Sequence, residues 1–147
     1  MKLTEHFSLD EFTISETAAR AGVDNVPPLG SPERANLERI AQVMEEVRSI
    51  LGHPILISSG YRGPWVNSAV GGSKNSAHMG GLAADFICPG FGNPLAICHK
   101  LRPHMKELGI DQLIHEFDTW VHLGLAVGAP RHMALTIDRY GTQTGFV

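Results

Sequence analysis

The chain has 147 residues, 43% of them hydrophobic, and a formal net charge of −3. That length suits one domain, residues 1–147, with a single sizeable core, and the composition excludes a disordered chain. The charge balance gives no basic footprint for nucleic acid, and no apolar run approaches the ~18 residues of a membrane span.

The opening stretch, MKLTEHFSLDEF, carries acidic residues where a signal peptide would have an apolar core. The expectation is a protein made in the cytoplasm without a cleaved leader. Ser8-Leu9-Asp10-Glu11 has the form of a capping box and predicts a short helix that stops near Gly22. VDNVPPLGSP follows as a connector, because two adjacent prolines withhold backbone donors. Ser31 as cap and Pro32 at the first helical position then open the main helix. Leu37, Ile40, Met44, Val47 and Leu51 recur at steps of three and four, which makes one apolar face, and Gly52 ends it.

After Gly52 the period changes. Pro54 to Ser59 reads as a buried strand, and Gly60 to Asn75 as a long loop rich in glycine and serine. Leu82 to Cys88 reads as a second strand. Asn93-Pro94 starts another helix, expected to reach Gly109 with a kink or break at Pro103. Asp111 to Phe117 and Trp120 to Val127 read as strands joined by a tight turn at Asp118-Thr119, and Ala134 to Arg139 as an edge strand. Helices first, then strands interrupted by one helix, is an α+β pattern: a small antiparallel sheet packed on one side by helices.

Two cysteines, Cys88 and Cys98, are too few for a disulfide framework and read as ordinary thiols. Of the eight histidines, His6, His53, His99, His104 and His132 lie near helix ends or loops and have no partner spacing.

The chemistry concentrates in SAHMGGLAAD, residues 76–85. Asp85 stands in an apolar strand, where a carboxylate is costly unless paired or hydrogen-bonded. Gly80 and Gly81 let the chain turn tightly between His78 and Asp85, and the surrounding alanines leave room for an approaching group. Zinc would satisfy both side chains, because it takes imidazole nitrogen and carboxylate oxygen at short range. His122, in the apolar run WVHLGLAV, is the candidate third ligand. The plain alternative is that Asp85 caps a loop and His122 is a core histidine bonded to a carbonyl.

The longer stretch ISSGYRGPWVNSAVGGSKNSAHMGGLAADF resembles the D-Ala-D-Ala carboxypeptidase family of zinc peptidases, peptidase family M15, and its short phage-type members. The family signature Ser-x-His-x-x-Gly-x-Ala-x-Asp stands here as Ser76, His78, Gly81, Ala83 and Asp85. The upstream Ser-Gly-Tyr-Arg loop and asparagine stand as Ser59-Gly60-Tyr61-Arg62 and Asn67, and the downstream elements as Glu116 and Trp120-Val121-His122. The likeness runs to about Val127. It implies a hedgehog/DD-peptidase type of fold, one zinc ion on His78, Asp85 and His122, and hydrolysis of an amide bond in the peptide part of bacterial peptidoglycan.

The resemblance favours Glu116 as the base that takes a proton from water and passes it to the leaving amine. The hairpin register leaves this open. A two-residue turn puts His115 opposite His122, and a three-residue turn puts Glu116 there. Asp118 is the reserve candidate, and His115 a candidate supporting donor. Arg62 is assigned to the substrate, on a carboxylate or a developing oxyanion, through its two-pronged guanidinium. Ser76 is expected to bond substrate or steady the His78 loop, Asn67 to brace that loop, and Tyr61 and Trp65 to line the groove.

The expected function is therefore a zinc-dependent peptidase acting on peptidoglycan stem peptides, as a phage-type lysin, DD-carboxypeptidase or endopeptidase. It is expected to be a monomer that reaches the bacterial wall by release or phage-assisted delivery, with no nucleic-acid or membrane partner. The alternative is an inactive zinc-containing module of the same fold that binds the wall or serves in a virion. The bond cleaved is not legible from the sequence.

Overall fold

The structure is a computed structural model that describes residues 1–147. The elements in chain order are α1 (Leu9–Thr13), α2 (Glu16–Ala21), α3 (Pro32–Leu51), β1 (Leu56–Ser59), α4 (Pro64–Ala69), β2 (Ala83–Ile87), α5 (Pro94–Leu101), α6 (Met105–Leu108), β3 (Gln112–Glu116), β4 (Trp120–Gly124), β5 (Met133–Asp138) and β6 (Gly141–Thr144). A 3₁₀ turn, Ala77–Gly80, precedes β2, and another, Arg102–His104, joins α5 to α6.

The local signals mostly hold. The Glu11 carboxylate reaches back to the Ser8 N–H at 3.0 Å, closing the capping box. Ser31 Oγ accepts from the Arg34 N–H, and Gly52 ends α3 in the left-handed conformation. Leu37, Ile40, Met44, Val47 and Leu51 are all buried. The helix after Asn93 breaks at Pro103, as expected of a residue without an N–H.

Several expectations need correction. The first helix is two, because Ser15 caps afresh: its Oγ accepts from the Ala18 N–H at 3.1 Å, leaving Ile14 exposed at the break. The loop from Gly60 to Asn75 contains α4, started by Pro64 behind Gly63. The strand near Ala134 is not an edge, since β6 lies outside it.

The architecture is α+β, as expected, but the sheet is mixed rather than antiparallel, with six strands in the order β1-β2-β4-β3-β5-β6. All neighbours are antiparallel except β3 and β5. The parallel pair has a local cause. Asp111, at the entrance to β3, accepts from the Arg131 side chain at 2.7 and 3.0 Å and from its backbone N–H, and the Met133 N–H donates to the Asp111 carbonyl. The returning chain is thereby tied to the start of β3 and runs alongside it.

Helices α3 and α5 cover one face of the sheet. Ala84 and Phe86 of β2, Leu113 of β3, Val121 and Leu123 of β4 and Ala134 of β5 join the α3 row and Ile97 and Leu101 of α5 in one buried cluster. The side-chain alternation of strands then turns Asp85, Glu116 and His122 to the opposite face.

Candidate metal centre

Cross-strand pairing assembles the centre. Asp85 of β2 lies directly opposite His122 of β4, and Ile114 of β3 lies on the other side of His122. His78 arrives from the 3₁₀ turn, whose cap is Ser76: its Oγ accepts from the His78 N–H at 3.2 Å. Gly81 ends that turn at φ 71°, with its α-carbon so close to α3 that an added Cβ would stand 2.5 Å from the Glu33 carbonyl oxygen. Close approach as well as conformation therefore demands glycine here.

His78 Nε2 is 3.3 Å from one Asp85 carboxylate oxygen, and His122 Nδ1 is 2.9 Å from the other. One donor atom from each of the three residues lies within 4.8 Å of the others. The two imidazoles meet edge to face, ring centroids 5.1 Å apart, and both are buried. His78 Nδ1 bonds the Gly60 carbonyl at 2.7 Å, which places its proton there and leaves Nε2 as the lone-pair nitrogen. Gly60 is itself pressed against α1, where a Cβ would meet the Phe12 carbonyl at 2.6 Å. Burial alone would push the Asp85 carboxyl up, but hydrogen bonds and charge from His122 and His78 hold it well below the usual carboxylate range. A half-buried carboxylate and two buried imidazoles converging on one point make a donor set that fits a zinc ion.

Glu116 shares this face and lines the same cleft, about 400 Å³ in volume, with Arg62, Asn75, Ser76, Gln112 and the three candidate ligands. Trp120 Nε1 donates to Glu116 Oε2 at 2.8 Å and fixes its orientation. Burial pushes the Glu116 carboxyl above its usual range, and the Asp85 charge adds to that, against the opposing pull of His122, Trp120 and His78.

The hairpin adopts neither expected register. Its turn is centred on Phe117 and Asp118, with φ of 52° and 51°, and Thr119 is an extra residue before β4. Glu116 therefore pairs with Trp120, and Ile114 with His122. Glu116 stands two pairs along from His122, hence on the same face, within the cleft rather than directly opposite. His115 points to the other face, bonding Asp118 Oδ1 at 2.8 Å and the Val147 carbonyl at 3.1 Å. Those bonds take both reserve residues, His115 and Asp118, away from the centre. They line instead a different cavity of about 520 Å³, which contains none of the three candidate ligands.

Arg62 follows β1 and lies at the cleft. Its backbone N–H bonds the His78 carbonyl at 3.0 Å, one guanidinium nitrogen donates to Ser76 Oγ at 3.3 Å, and its buried Nε has no partner. Asn67 braces the loop, with Nδ2 donating to the Ser73 carbonyl at 2.9 Å. Tyr61 lines a neighbouring cavity that also includes Arg62 and Asp85. Trp65 sits half-exposed on α4 and does not line the cleft. Sequence reasoning passed over Gln112 as a cleft residue and Trp120 as the partner of Glu116. The alternation of Gln112 with Glu116, and of Trp120 with His122, was the signal that could have found them.

A protein-family model described as Peptidase M15 matches residues 5–124 of the chain. No curated protein matches it.

Proposed function

Because the chain belongs to peptidase family M15, and is thus a metallopeptidase with a peptide substrate, we propose that it is a zinc peptidase that hydrolyses an amide bond in the peptide part of bacterial peptidoglycan. The observation that carries the reading is the convergence of His78, Asp85 and His122, with Glu116 held by Trp120 in the same cleft. Zinc bound there would act as a Lewis acid on the scissile carbonyl and lower the pKa of water.

The residues of the chain supply the rest. His78 is oriented by the Gly60 carbonyl, and its lone pair faces the centre. Asp85 stays ionised between the two imidazoles. Glu116 takes a proton from the attacking water, then delivers it to the departing amine as the carbon–nitrogen bond breaks. Arg62, its Nε unpaired, donates to a substrate carboxylate or to the carbonyl oxygen as charge develops there. Ser76 holds both Arg62 and the His78 turn. No helix is long and apolar enough to cross a membrane, and the proposed site of action is the bacterial wall, reached by release or phage-assisted delivery.

The test is mass spectrometry of purified peptidoglycan digested by the zinc-loaded protein, with Glu116→Gln as control. New peptide termini from the wild type alone support the proposal. Full zinc occupancy without release from walls of several chemotypes would favour a binding module of the same fold.

A further inference from the structure

Two unpaired cations and a histidine gather on a part of the surface that the metal centre does not use. A cavity of about 430 Å³ is lined by Arg102 from the 3₁₀ turn after α5, Lys106 from α6 and His132 just before β5. No aspartate or glutamate lines it. None of the three basic residues is in an ion pair. In a chain with 15 acidic residues against 12 lysines and arginines, a basic cavity without an acid is a selective arrangement. The dipole of α5 favours cations at its C-terminal end, but it does not account for His132, which comes from a distant loop.

Two of the three groups are held in place. His132 stands at φ 55°, a backbone conformation that residues with a Cβ adopt reluctantly. Both its neighbours are tied to Asp111. The Arg131 N–H donates to the Asp111 carboxylate at 2.7 Å, and the Met133 N–H donates to the Asp111 carbonyl at 2.8 Å. The strained residue is thus clamped from both sides at the rim of the cavity. The Arg102 guanidinium lies over the Phe146 ring, with Cζ 5.5 Å from the centroid. A stacked guanidinium keeps its N–H donors in its own plane, available to an oxyanion.

A guanidinium fork, an ammonium and an imidazole donor suit a phosphate group. The rest of the lining narrows the carrier of that phosphate. No Phe, Tyr or Trp lines the cavity, so nucleic-acid bases have no ring to stack on. None of the exposed large apolar residues lines it either, so no side chain is placed to enter a bilayer. A phosphodiester chain of small polyol units needs neither.

We propose that this cavity binds the phosphodiester backbone of an anionic polyol polymer, with Arg102, Lys106 and His132 holding its phosphates. Met133 of the cavity pairs with Gln112 of the metal cleft, although the two spaces share no lining residue. A polymer bound there holds the protein one strand away from the cleft. The inference stands whether or not the zinc peptidase reading does.

The test titrates the zinc-loaded full chain with poly(glycerol phosphate) by calorimetry. Inorganic phosphate, a single-stranded oligonucleotide and vesicles of phosphatidylglycerol in phosphatidylcholine are titrated alongside. The expected result is saturable binding of the polymer that weakens as salt rises and is tighter than that of the other three at equal phosphate. Arg102→Gln combined with Lys106→Gln should lower that affinity about tenfold or more, with zinc content and urea midpoint unchanged. Amide NMR shifts on binding should centre on His132 and Met133. Wild-type affinity in the double variant, or shifts confined to His78 and His122, would overturn the site and put the phosphate on the metal. Tighter binding of inorganic phosphate, the oligonucleotide or the vesicles would overturn the polyol polymer as occupant. Binding of none of the four would overturn the anion site altogether.

Discussion

Replacing Gly81 by alanine separates two reasons for a glycine. Gly81 and Gly109 both end a helical turn in the left-handed region, at φ 71° and 68°. Alanine in that conformation costs about 1–2 kcal/mol at either position. The surroundings differ. A Cβ at position 109 meets nothing within 4 Å, whereas at position 81 it stands 2.5 Å from the Glu33 carbonyl oxygen and 3.4 Å from Leu37 Cγ. The Glu33 carbonyl belongs to the first turn of α3 and cannot swing away as a side-chain tip could. Relieving that overlap means moving the His78 turn off α3, an overpacking cost of about 1–3 kcal/mol. Gly109→Ala should therefore lose about 1–2 kcal/mol and Gly81→Ala about 2–5 kcal/mol in urea unfolding of the zinc-free proteins. Zinc affinity, titrated on the folded variants, should fall for Gly81→Ala alone, because His78 moves with its turn. Equal destabilisation with equal zinc affinity would refute the close-approach argument and leave backbone conformation as the whole reason.

Three further outcomes can be measured. His78→Ala, Asp85→Ala and His122→Ala should each lose stoichiometric zinc and the stabilisation that zinc gives the wild type in urea unfolding, about 2.7 kcal/mol at a hundred times Kd; a variant that keeps one equivalent would remove its residue from the ligand set. Glu116→Gln should keep zinc while turnover falls about 10²–10⁴-fold, and a near-normal rate would put the proton transfer elsewhere. Burial pushes the Cys98 thiol from the ordinary 9.0 up to about 12. Below pH 9 both folded and unfolded chains hold this proton, but as pH rises further only the folded chain does, so stability falls. Cys98→Ala should flatten that alkaline decline in urea midpoint, and an unchanged slope would show that the thiol titrates alike in both states.

Much of the local structure was legible. Ser8 with Glu11, Ser31 with Pro32, and Asn93 with Pro94 announced helix starts that the structure contains, because caps and prolines act on backbone groups only a few residues away. Ser15 was missed for a related reason: a cap inside an apparent helix reads as an ordinary polar residue until the chain is seen to turn there. The small β6 escaped because GTQT carries no apolar alternation, all four residues being exposed.

The chain's own residue order also determined the chemistry. An ionisable residue in an apolar strand, a histidine seven positions before it and glycines between them carry their meaning wherever the strand ends up. Tertiary structure decided what stands beside what. The hairpin turn formed one residue earlier than expected, at Phe117-Asp118, and that shift set Glu116 beside Trp120 in the cleft and sent His115 to bond Asp118 on the other face. The parallel seat of β5 came from Asp111 gripping Arg131, twenty residues on. Strand register and partner choice depend on the summed packing of two faces and on bonds between distant segments, so neighbouring residues alone could not specify them.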